Sequence, residues 1–152
     1  MNIRDATDND RDFILGLSPT LIENASLAWH SDQVEREFQD RFIEEVLDNK
    51  DVIQQILIAE DNGERLGFIQ VEESEDEVSL ETCAKIQLLA VTKEAQGKGV
   101  GSALMNRAVR WAKEKGFRLI SLEVFANNKN ARAFYEAQGF QNDTMFMVKP
   151  LD

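Results

Sequence analysis

The chain has 152 residues, of which 43% are hydrophobic and 30% are charged, and its 28 acidic and 17 basic residues give a net charge of −11. This length allows one domain with a hydrophobic core and is too short for two ordinary domains, so we expect a single domain over residues 1–152. The acidic balance disfavours nucleic acid as a partner, because nucleic-acid binding requires a basic face.

The content of cysteine and histidine limits the chemistry further. Cys83 is the only cysteine and His30 the only histidine, so we expect no intrachain disulfide, no metal site and no Ser/Cys-His nucleophile. No apolar run approaches the roughly 20 residues that span a bilayer. The N-terminus lacks the charged and apolar regions of a signal peptide. We therefore expect a cytoplasmic protein with no membrane partner.

The N-terminal third predicts a strand followed by two helices. Residues 1–5 suit a strand, and Thr7 or Asp8 can cap a helix that is interrupted near Pro19. A second, amphipathic helix is predicted over residues 32–49. Its apolar stripe consists of Val34, Phe38, Phe42, Ile43 and Val46.

The middle of the chain predicts two hairpins and a long strand. Strands over residues 53–60 and 66–73 flank Asn62-Gly63, which is a strong turn signal. A further hairpin is expected to turn within the acidic run 72–77, before a long strand over residues 78–91.

The C-terminal half alternates helices and strands. Helices are predicted over residues 102–115 and 128–138, the second ended by Gly139. Strands are predicted over residues 118–125 and, as a closing strand, over 145–148. Because strands precede and follow single helices, we expect an α/β fold with a mixed sheet and helices on both faces.

The segment 96–102, Gln-Gly-Lys-Gly-Val-Gly-Ser, lies where the apolar strand gives way to a helix. At a helix N-terminus the first N–H groups lack intrahelical partners and the macrodipole is positive, which favours a bound phosphate. Gly97, Gly99 and Gly101 remove side chains that would keep phosphate oxygens from these amides, and Lys98 adds a cation. The segment therefore predicts a pyrophosphate-binding loop.

Two common nucleotide motifs do not fit this segment. A P-loop needs Gly-Lys followed by Ser or Thr, whereas Lys98 is followed by Gly99. The dinucleotide fingerprint would need glycine at position 102, which is Ser102. Three close glycines before a helix are, in isolation, more often an ordinary loop, so the flanking motifs decide the interpretation.

Those motifs resemble the GCN5-related N-acetyltransferase (GNAT) family. Gln96-x-x-Gly99-x-Gly101 matches the acetyl-CoA pyrophosphate loop Gln/Arg-x-x-Gly-x-Gly/Ala. Residues 89–91, Leu-Ala-Val, resemble the end of the family's central fourth strand, and residues 128–140 fit its Asn-x-x-Ala-x-x-Phe-Tyr-x-x-x-Gly-Phe signature. The resemblance implies acetyl-CoA as co-substrate. It also implies a GNAT-like acyl-CoA N-acyltransferase fold, with a mixed, mostly antiparallel central sheet flanked by helices.

The resemblance also implies roles for individual residues. Tyr135 would lie near the coenzyme sulfur and donate a proton to the leaving thiolate, whose conjugate acid has a pKa of about 8.5. Leu89 and Val91 would offer backbone groups to the pantetheine arm and to the thioester carbonyl. The other residues implied to bind the cofactor are Gln96, Gly97, Lys98, Gly99, Val100, Gly101, Ser102 and Asn128. Of these, residues 99–102 would hold the pyrophosphate and Asn128 would contact the arm.

The general base does not follow from the resemblance. Family members often place a glutamate four residues before the position of Leu89, and here that position is Lys85. Glu81, Glu123 and a chain of water molecules remain as alternatives. The base is therefore left unassigned.

The sequence thus predicts an N-acetyltransferase that transfers an acetyl group from acetyl-CoA to a primary amine of a small molecule or peptide, by direct attack on the thioester. We expect residues 17–42, including Trp29 and His30, to select the acceptor. Acidic residues, concentrated in 32–51 and 72–77, would favour a cationic amine. A polyamine, an aminosugar and a lysine-like side chain are all compatible with this pattern.

Two other functions fit parts of the sequence. A non-catalytic acyl-CoA-binding or regulatory module is favoured by Lys85 and disfavoured by Tyr135. An acidic interaction protein could bind a basic partner through residues 32–51. A homodimer is compatible with the chain, although no residue indicates its interface.

Overall fold

A five-stranded sheet forms the centre of the fold in this computed structural model, which describes residues 1–22 and 27–151. The strands lie side by side in chain order. They are β1 (Asn2–Asp5), β2 (Gln54–Asp61), β3 (Glu64–Glu75), β4 (Thr82–Val91) and β5 (Ile120–Leu122). The first three pairings are antiparallel and the β4–β5 pairing is parallel. The predicted mixed, mostly antiparallel sheet is confirmed.

Helices cover both faces of the sheet, as predicted. They are α1 (Arg11–Gly16), α2 (Ser18–Ile22), α3 (Asp32–Asp48), α4 (Val100–Glu114) and α5 (Lys129–Ala137), with 3-10 turns at Asp8–Asp10 and Lys93–Ala95. One core cluster joins α4 to one face of the sheet, and α5 contributes Phe134 and Tyr135 to its margin. The second cluster joins α1 and α3 to the other face.

The turn and helix-end signals in the first half of the chain agree with the structure. Asn62 and Gly63 both have positive φ, 51° and 81°, as a tight two-residue hairpin turn requires. The helix that starts after Thr7 is interrupted at Leu17, and Pro19 lies in the first turn of α2, where its missing N–H has no helical partner to lose. No described helix is long and apolar enough to cross a membrane.

The predicted apolar stripe of α3 is correct only in its second half. Ile43 and Val46 are buried against the sheet, whereas Val34 and Phe38 are 51% and 40% exposed. The exposed pair borders a surface pocket and not the sheet. The periodicity therefore indicated the correct face of the helix but not how far along it the core extends.

The acidic hairpin turns later than predicted. β3 continues through Glu75, and β4 begins at Thr82, so residue 78 is not part of a strand. The turn is held by Asp76, whose carboxylate accepts hydrogen bonds from the backbone N–H of Ser79 at 2.8 Å and from its hydroxyl at 2.9 Å. This side-chain turn competes with the strand ladder and delays its start.

Two predictions at the β5 edge are wrong. β5 contains only Ile120–Leu122, where a strand over residues 118–125 was expected. The closing strand over residues 145–148 is absent, and these residues are exposed and outside any helix or strand. Strand formation needs a hydrogen-bonding neighbour, and in the described part of the chain β5 lies at the end of the sheet.

Candidate active site

The N-terminus of α4 forms an open cradle of backbone N–H groups. The helix begins at Val100, two residues earlier than predicted, because Gly99 takes a left-handed conformation with φ of 82° and caps it. Gly97 also has a positive φ, of 78°. The amides of Val100, Gly101 and Ser102 therefore lie in the first helical turn, where they have no intrahelical acceptor. This arrangement fits a pyrophosphate.

Gly101 is needed for the packing of α5 against α4, as well as for the access of phosphate oxygens to the backbone amides. Its φ is not positive, but a Cβ at this position would lie 3.3 Å from Cζ of Phe134 and 3.9 Å from Cγ2 of Val91. The ring of Phe134 thus covers the first turn of α4. The glycine lets α5 approach the cradle closely.

Two side-chain hydrogen bonds attach the cradle to its surroundings. Gln96 Nε2 donates to the carbonyl of Val91 at 3.3 Å, which connects the glycine segment to the end of β4. Gln138 Nε2 donates to Ser102 Oγ at 3.1 Å and joins α5 to the first turn of α4. Gln138 was not singled out from the sequence, because its role depends on the contact between two helices. Lys98 is exposed beside the cradle.

Strands β4 and β5 separate next to the cradle. The two strands share three residue pairs, from Ala84↔Ile120 to Ile86↔Leu122, and β4 then continues to Val91 paired with β3 on its other side. Leu89 and Val91 lie in this open portion, with side chains at the margin of the cluster that contains α4. Backbone groups of residues 87–91 on the side of β5 therefore face the gap between the strands.

A bulge in β4 lies where the two strands separate. Gln70 pairs with Leu88 and Val71 with Ile86, so Gln87 has no partner residue in β3. The backbone N–H of Gln87 donates instead to Oε1 of Gln70, at 3.1 Å. Gln70 is fully buried, and its amide nitrogen donates to Gln54 and Glu72. A glutamine within the apolar stretch of β3 was the signal that sequence reasoning missed.

Tyr135 lies on α5 between two aromatic rings. Its ring centroid is 5.5 Å from that of Phe134 and 5.8 Å from that of Phe140, both edge-on. The ring belongs to the same apolar margin as Leu89 and Val91. Burial raises the pKa of the Tyr135 phenol above its usual value of 10, so the hydroxyl is protonated at neutral pH. It can therefore act as a proton donor.

Asn128 has a structural role at the start of α5. Its Oδ1 accepts a hydrogen bond from the backbone N–H of Ala131 at 3.2 Å, which caps the helix. The cap occupies the side-chain oxygen. The amide nitrogen is then the group that could meet a ligand.

The candidate bases are held by cations. Lys85 Nζ lies 3.2 Å from Glu123 Oε1 across the β4–β5 pair. Glu81 accepts hydrogen bonds from Arg118 and from the hydroxyl of Ser79, and Arg118 lowers the pKa of Glu81 below its usual value. A lowered pKa makes Glu81 a weak base. Among the described residues no group of three or more His, Cys, Asp and Glu could hold a metal ion.

A pocket of about 290 Å³ lies between the N-terminal half of α3 and the segment that follows β5. Its walls are mainly apolar, with charged residues at intervals. The lining residues are Leu27, His30, Val34, Glu35, Glu37, Phe38, Arg41 and Phe125. Trp29 stands edge-on to His30 with centroids 6.3 Å apart. Part of the segment predicted to select the acceptor, residues 23–26, lies outside the described residues.

Comparison with known proteins agrees with this architecture. The model of the Acetyltransferase (GNAT) family matches residues 20–140. The chain is 31% identical over 147 residues to the uncharacterized N-acetyltransferase YhfO of Bacillus subtilis strain 168, covering 97% of this chain and 94% of YhfO. A Pyrococcus furiosus protein assigned as an acetyl transferase superposes with a TM-score of 0.80 at 28% identity, over 99% of both chains.

A third similarity concerns a structure solved with a ligand. The structure of AAC(6')-Iy in complex with the bisubstrate analogue CoA-S-monomethyl-acetylneamine superposes with a TM-score of 0.67 over 99% of this chain and 98% of that one. The two sequences are 19% identical, so the likeness concerns the fold.

Proposed function

Because the chain belongs to the GNAT family of acetyltransferases and is an N-acetyltransferase that uses acetyl-CoA, we propose that residues 1–152 form a single catalytic domain. The acceptor is a primary amine, which attacks the thioester directly. The observation that carries this proposal is the meeting of three features at one point: the open N-terminus of α4, the end of β4 beyond its pairing with β5, and the partly buried phenol of Tyr135.

The cofactor-binding residues follow from the cradle and the gap. The backbone amides of Val100, Gly101 and Ser102 would hold the pyrophosphate, with Lys98 as an added cation. Gly97 and Gly99 supply the left-handed turns that expose these amides. Gln96 supports the segment through its hydrogen bond to Val91.

The open portion of β4 would orient the acyl group. Backbone groups at Leu89 and Val91 face the space that β5 leaves, where they can pair with an extended amide chain. Acetyl-CoA supplies an acetyl group activated as a thioester and the amide-containing arm that fits this space. A backbone N–H directed at the thioester carbonyl would stabilise the negative charge that develops on its oxygen. Asn128 would contact the arm through its amide nitrogen.

Tyr135 would supply the proton that the departing thiolate takes up. Its hydroxyl is neutral at physiological pH because burial opposes ionisation. The flanking rings of Phe134 and Phe140 restrict the orientation of the phenol. We assign proton removal from the amine to neither Glu81 nor Glu123, because both carboxylates are engaged by cations.

The acceptor would enter from the pocket beside α3. The aromatic rings of Phe38 and Phe125 and the carboxylates of Glu35 and Glu37 line this pocket. Arg41 Cζ lies 5.8 Å from the centroid of the Phe38 ring, so the two carboxylates and the ring of Phe125 are the groups that suit a cationic amine.

The test is amine-dependent release of free thiol from acetyl-CoA. The wild-type chain and the variant Tyr135→Phe are compared with a panel of polyamines, aminosugars, amino acids and lysine or N-terminal peptides. Release that requires an amine and falls in the variant supports both the activity and the role of Tyr135. Equal release by both proteins contradicts the role of Tyr135. If acetyl-CoA binds and no amine in the panel is acetylated, the proposed acceptor class is wrong.

A further inference from the structure

The C-terminal arm, residues 141–150, is an exposed segment with the composition of a strand. All ten residues are exposed and none is in a helix or strand. Met145, Phe146 and Met147 are 81%, 96% and 83% exposed. Residues 144–148, Thr-Met-Phe-Met-Val, carry no charge and are rich in residues that favour strands. A run of exposed apolar side chains in a protein with a net charge of −11 indicates a surface that is covered by a partner.

The edge of the sheet at β5 is also incomplete. β5 is the last strand of the sheet and contains three residues. The strand pattern in the sequence continues to Phe125, and Val124 and Phe125 are partly exposed. An edge strand with apolar neighbours is a template for another strand.

These two features complement each other. The sequence predicts strands over residues 118–125 and 145–148, and the structure of a single chain shortens the first and lacks the second. In this chain the arm does not pair with its own β5, although all its residues from 141 to 150 are described. Pairing between the two segments would satisfy both predictions at once.

The geometry of the arm favours a second copy as the partner. The arm starts from a fixed point, because Phe140 donates its backbone N–H to the carbonyl of Tyr135 at 3.0 Å and packs against the ring of Tyr135. Ten extended residues reach roughly 33–36 Å. This is about twice the ~15 Å radius of gyration of a domain of this size. The arm is therefore long enough to reach the sheet edge of a neighbouring molecule.

The charge distribution favours the same pairing. The whole chain repels a second copy through its net negative charge. The apolar part of the arm and the residues of β5 are both uncharged, and Glu123, which follows β5, is paired with Lys85. Contact along these two segments brings the chains together with little like-charge repulsion.

We propose that two copies of this chain exchange their C-terminal arms, each arm adding a strand to the β5 edge of the other copy. The exchange is reciprocal and closes as a two-fold dimer. Phe125, just beyond β5, lines the pocket beside α3, so the partner's arm would form part of the wall of that pocket. This last consequence depends on the proposed function, whereas the exchange itself does not.

The first test is the mass of the full chain in solution without acetyl-CoA or amine, measured by light scattering after size-exclusion chromatography. We expect twice the chain mass of 17.3 kDa for the wild type and a monomer for Phe146→Glu. Because Phe146 is almost fully exposed in the single chain, its substitution leaves the folded chain intact. The matched control is Val78→Glu, which adds the same charge at an exposed apolar residue in the β3–β4 turn and should stay dimeric. A monomeric wild type, or a dimer that Phe146→Glu does not weaken, overturns the proposal.

The second test detects the exchange directly. Copies carrying Ser121→Cys are mixed with copies carrying Met145→Cys, Phe146→Cys or Met147→Cys, and are then oxidised. A covalent heterodimer with at least one of the three arm variants is expected, and its absence with all three overturns the exchange. Both tests are independent of activity. A monomer that acetylates amines overturns only this inference, and a dimer without transferase activity overturns only the proposed function.

Discussion

The ring of Phe134 packs on the backbone of Gly101, so that a Cβ at Gly101 would lie 3.3 Å from Cζ of the ring. This contact joins α5, which carries Tyr135, to the first turn of α4, which forms the cradle. The proposed proton donor and the proposed phosphate site are therefore held in one packing unit.

Gly101→Asp is expected to weaken acetyl-CoA binding by tenfold or more, about 1.4 kcal/mol or above, through steric displacement of Phe134 and repulsion of phosphate. Calorimetric titration with acetyl-CoA measures the change. Gly101→Ala is the control, because it adds the Cβ without the charge. Equal affinities for the wild type and the Asp variant would remove the phosphate-site assignment.

Tyr135→Phe is expected to lower turnover by about 10²-fold, at the lower end of general acid catalysis, because a thiolate is already a fair leaving group. The affinity for acetyl-CoA should stay the same, since the ring remains between Phe134 and Phe140. Steady-state kinetics and calorimetry separate the two effects.

The pH dependence gives a second check on Tyr135. Because burial raises the pKa of the phenol above its usual value, the acid form predominates from pH 7 to pH 9. The wild-type rate should show no alkaline loss in this range from ionisation of Tyr135. A loss of rate below pH 9 that is absent in Tyr135→Phe would contradict a protonated phenol.

Gly67→Ala should destabilise the protein by about 1–3 kcal/mol, the usual cost of overpacking. A Cβ at Gly67 would lie 2.6 Å from the carbonyl oxygen of Ala90 and 3.2 Å from Cα of Val91, so the end of β4 must move. Urea denaturation measures the change in the free energy of unfolding. Gly16→Ala is the matched control, because a Cβ there meets no atom within 4 Å. Equal stabilities of the two variants would refute the close approach.

Asp10→Asn should destabilise the protein at neutral pH by about 2 kcal/mol, which corresponds to the lowering of the Asp10 pKa. The Asp10 carboxylate is fully buried and accepts hydrogen bonds from both terminal nitrogens of Arg4, at 2.8 and 2.9 Å. Arg65 lies 3.0 Å away, and the backbone N–H of Thr7 donates at 2.8 Å. These contacts, with Arg4 as the largest cause, lower the pKa of Asp10 from 3.8 to about 2.

The pH at which this stabilisation disappears follows from the sign of the shift. A carboxylate with a lowered pKa stabilises the folded state above its unfolded pKa, and the contribution is lost as the pH falls toward the folded value. The difference in unfolding free energy between wild type and Asp10→Asn should therefore be constant above pH 5 and shrink between pH 4 and pH 2. Chemical denaturation at several pH values measures it, and a difference that grows on acidification would contradict the assignment.

Phe38→Ala should raise the KM for the amine several-fold and leave the KM for acetyl-CoA unchanged, because Phe38 lines the pocket and not the cradle. The control is Val78→Ala, which shortens an exposed apolar side chain in the β3–β4 turn, outside the pocket lining. If the KM for acetyl-CoA rises instead, the pocket is not the acceptor site.

The sequence predicted the elements whose signals are local. Asn62-Gly63 indicated the hairpin, and the glycine segment before α4 indicated the cradle, because turn conformation and helix capping depend on a few neighbouring residues. The length of β5 depends on which strand lies beside it, so the local residue pattern predicted a strand that is too long. The pairing of Gln70 with Gln87 depends on register between strands, and a single buried glutamine does not specify that register.

The early end of the β4–β5 ladder also affects how a ligand reaches the site. Since no strand of the described residues pairs with residues 87–91 on the β5 side, an extended ligand can dock along them without breaking any hydrogen bond of the sheet. Ligand binding therefore requires no local unfolding. The association rate can then be set by how often the ligand and the protein meet in the correct orientation. The backbone amides of this stretch change their exposure on docking, so their hydrogen exchange would report occupancy of the site directly.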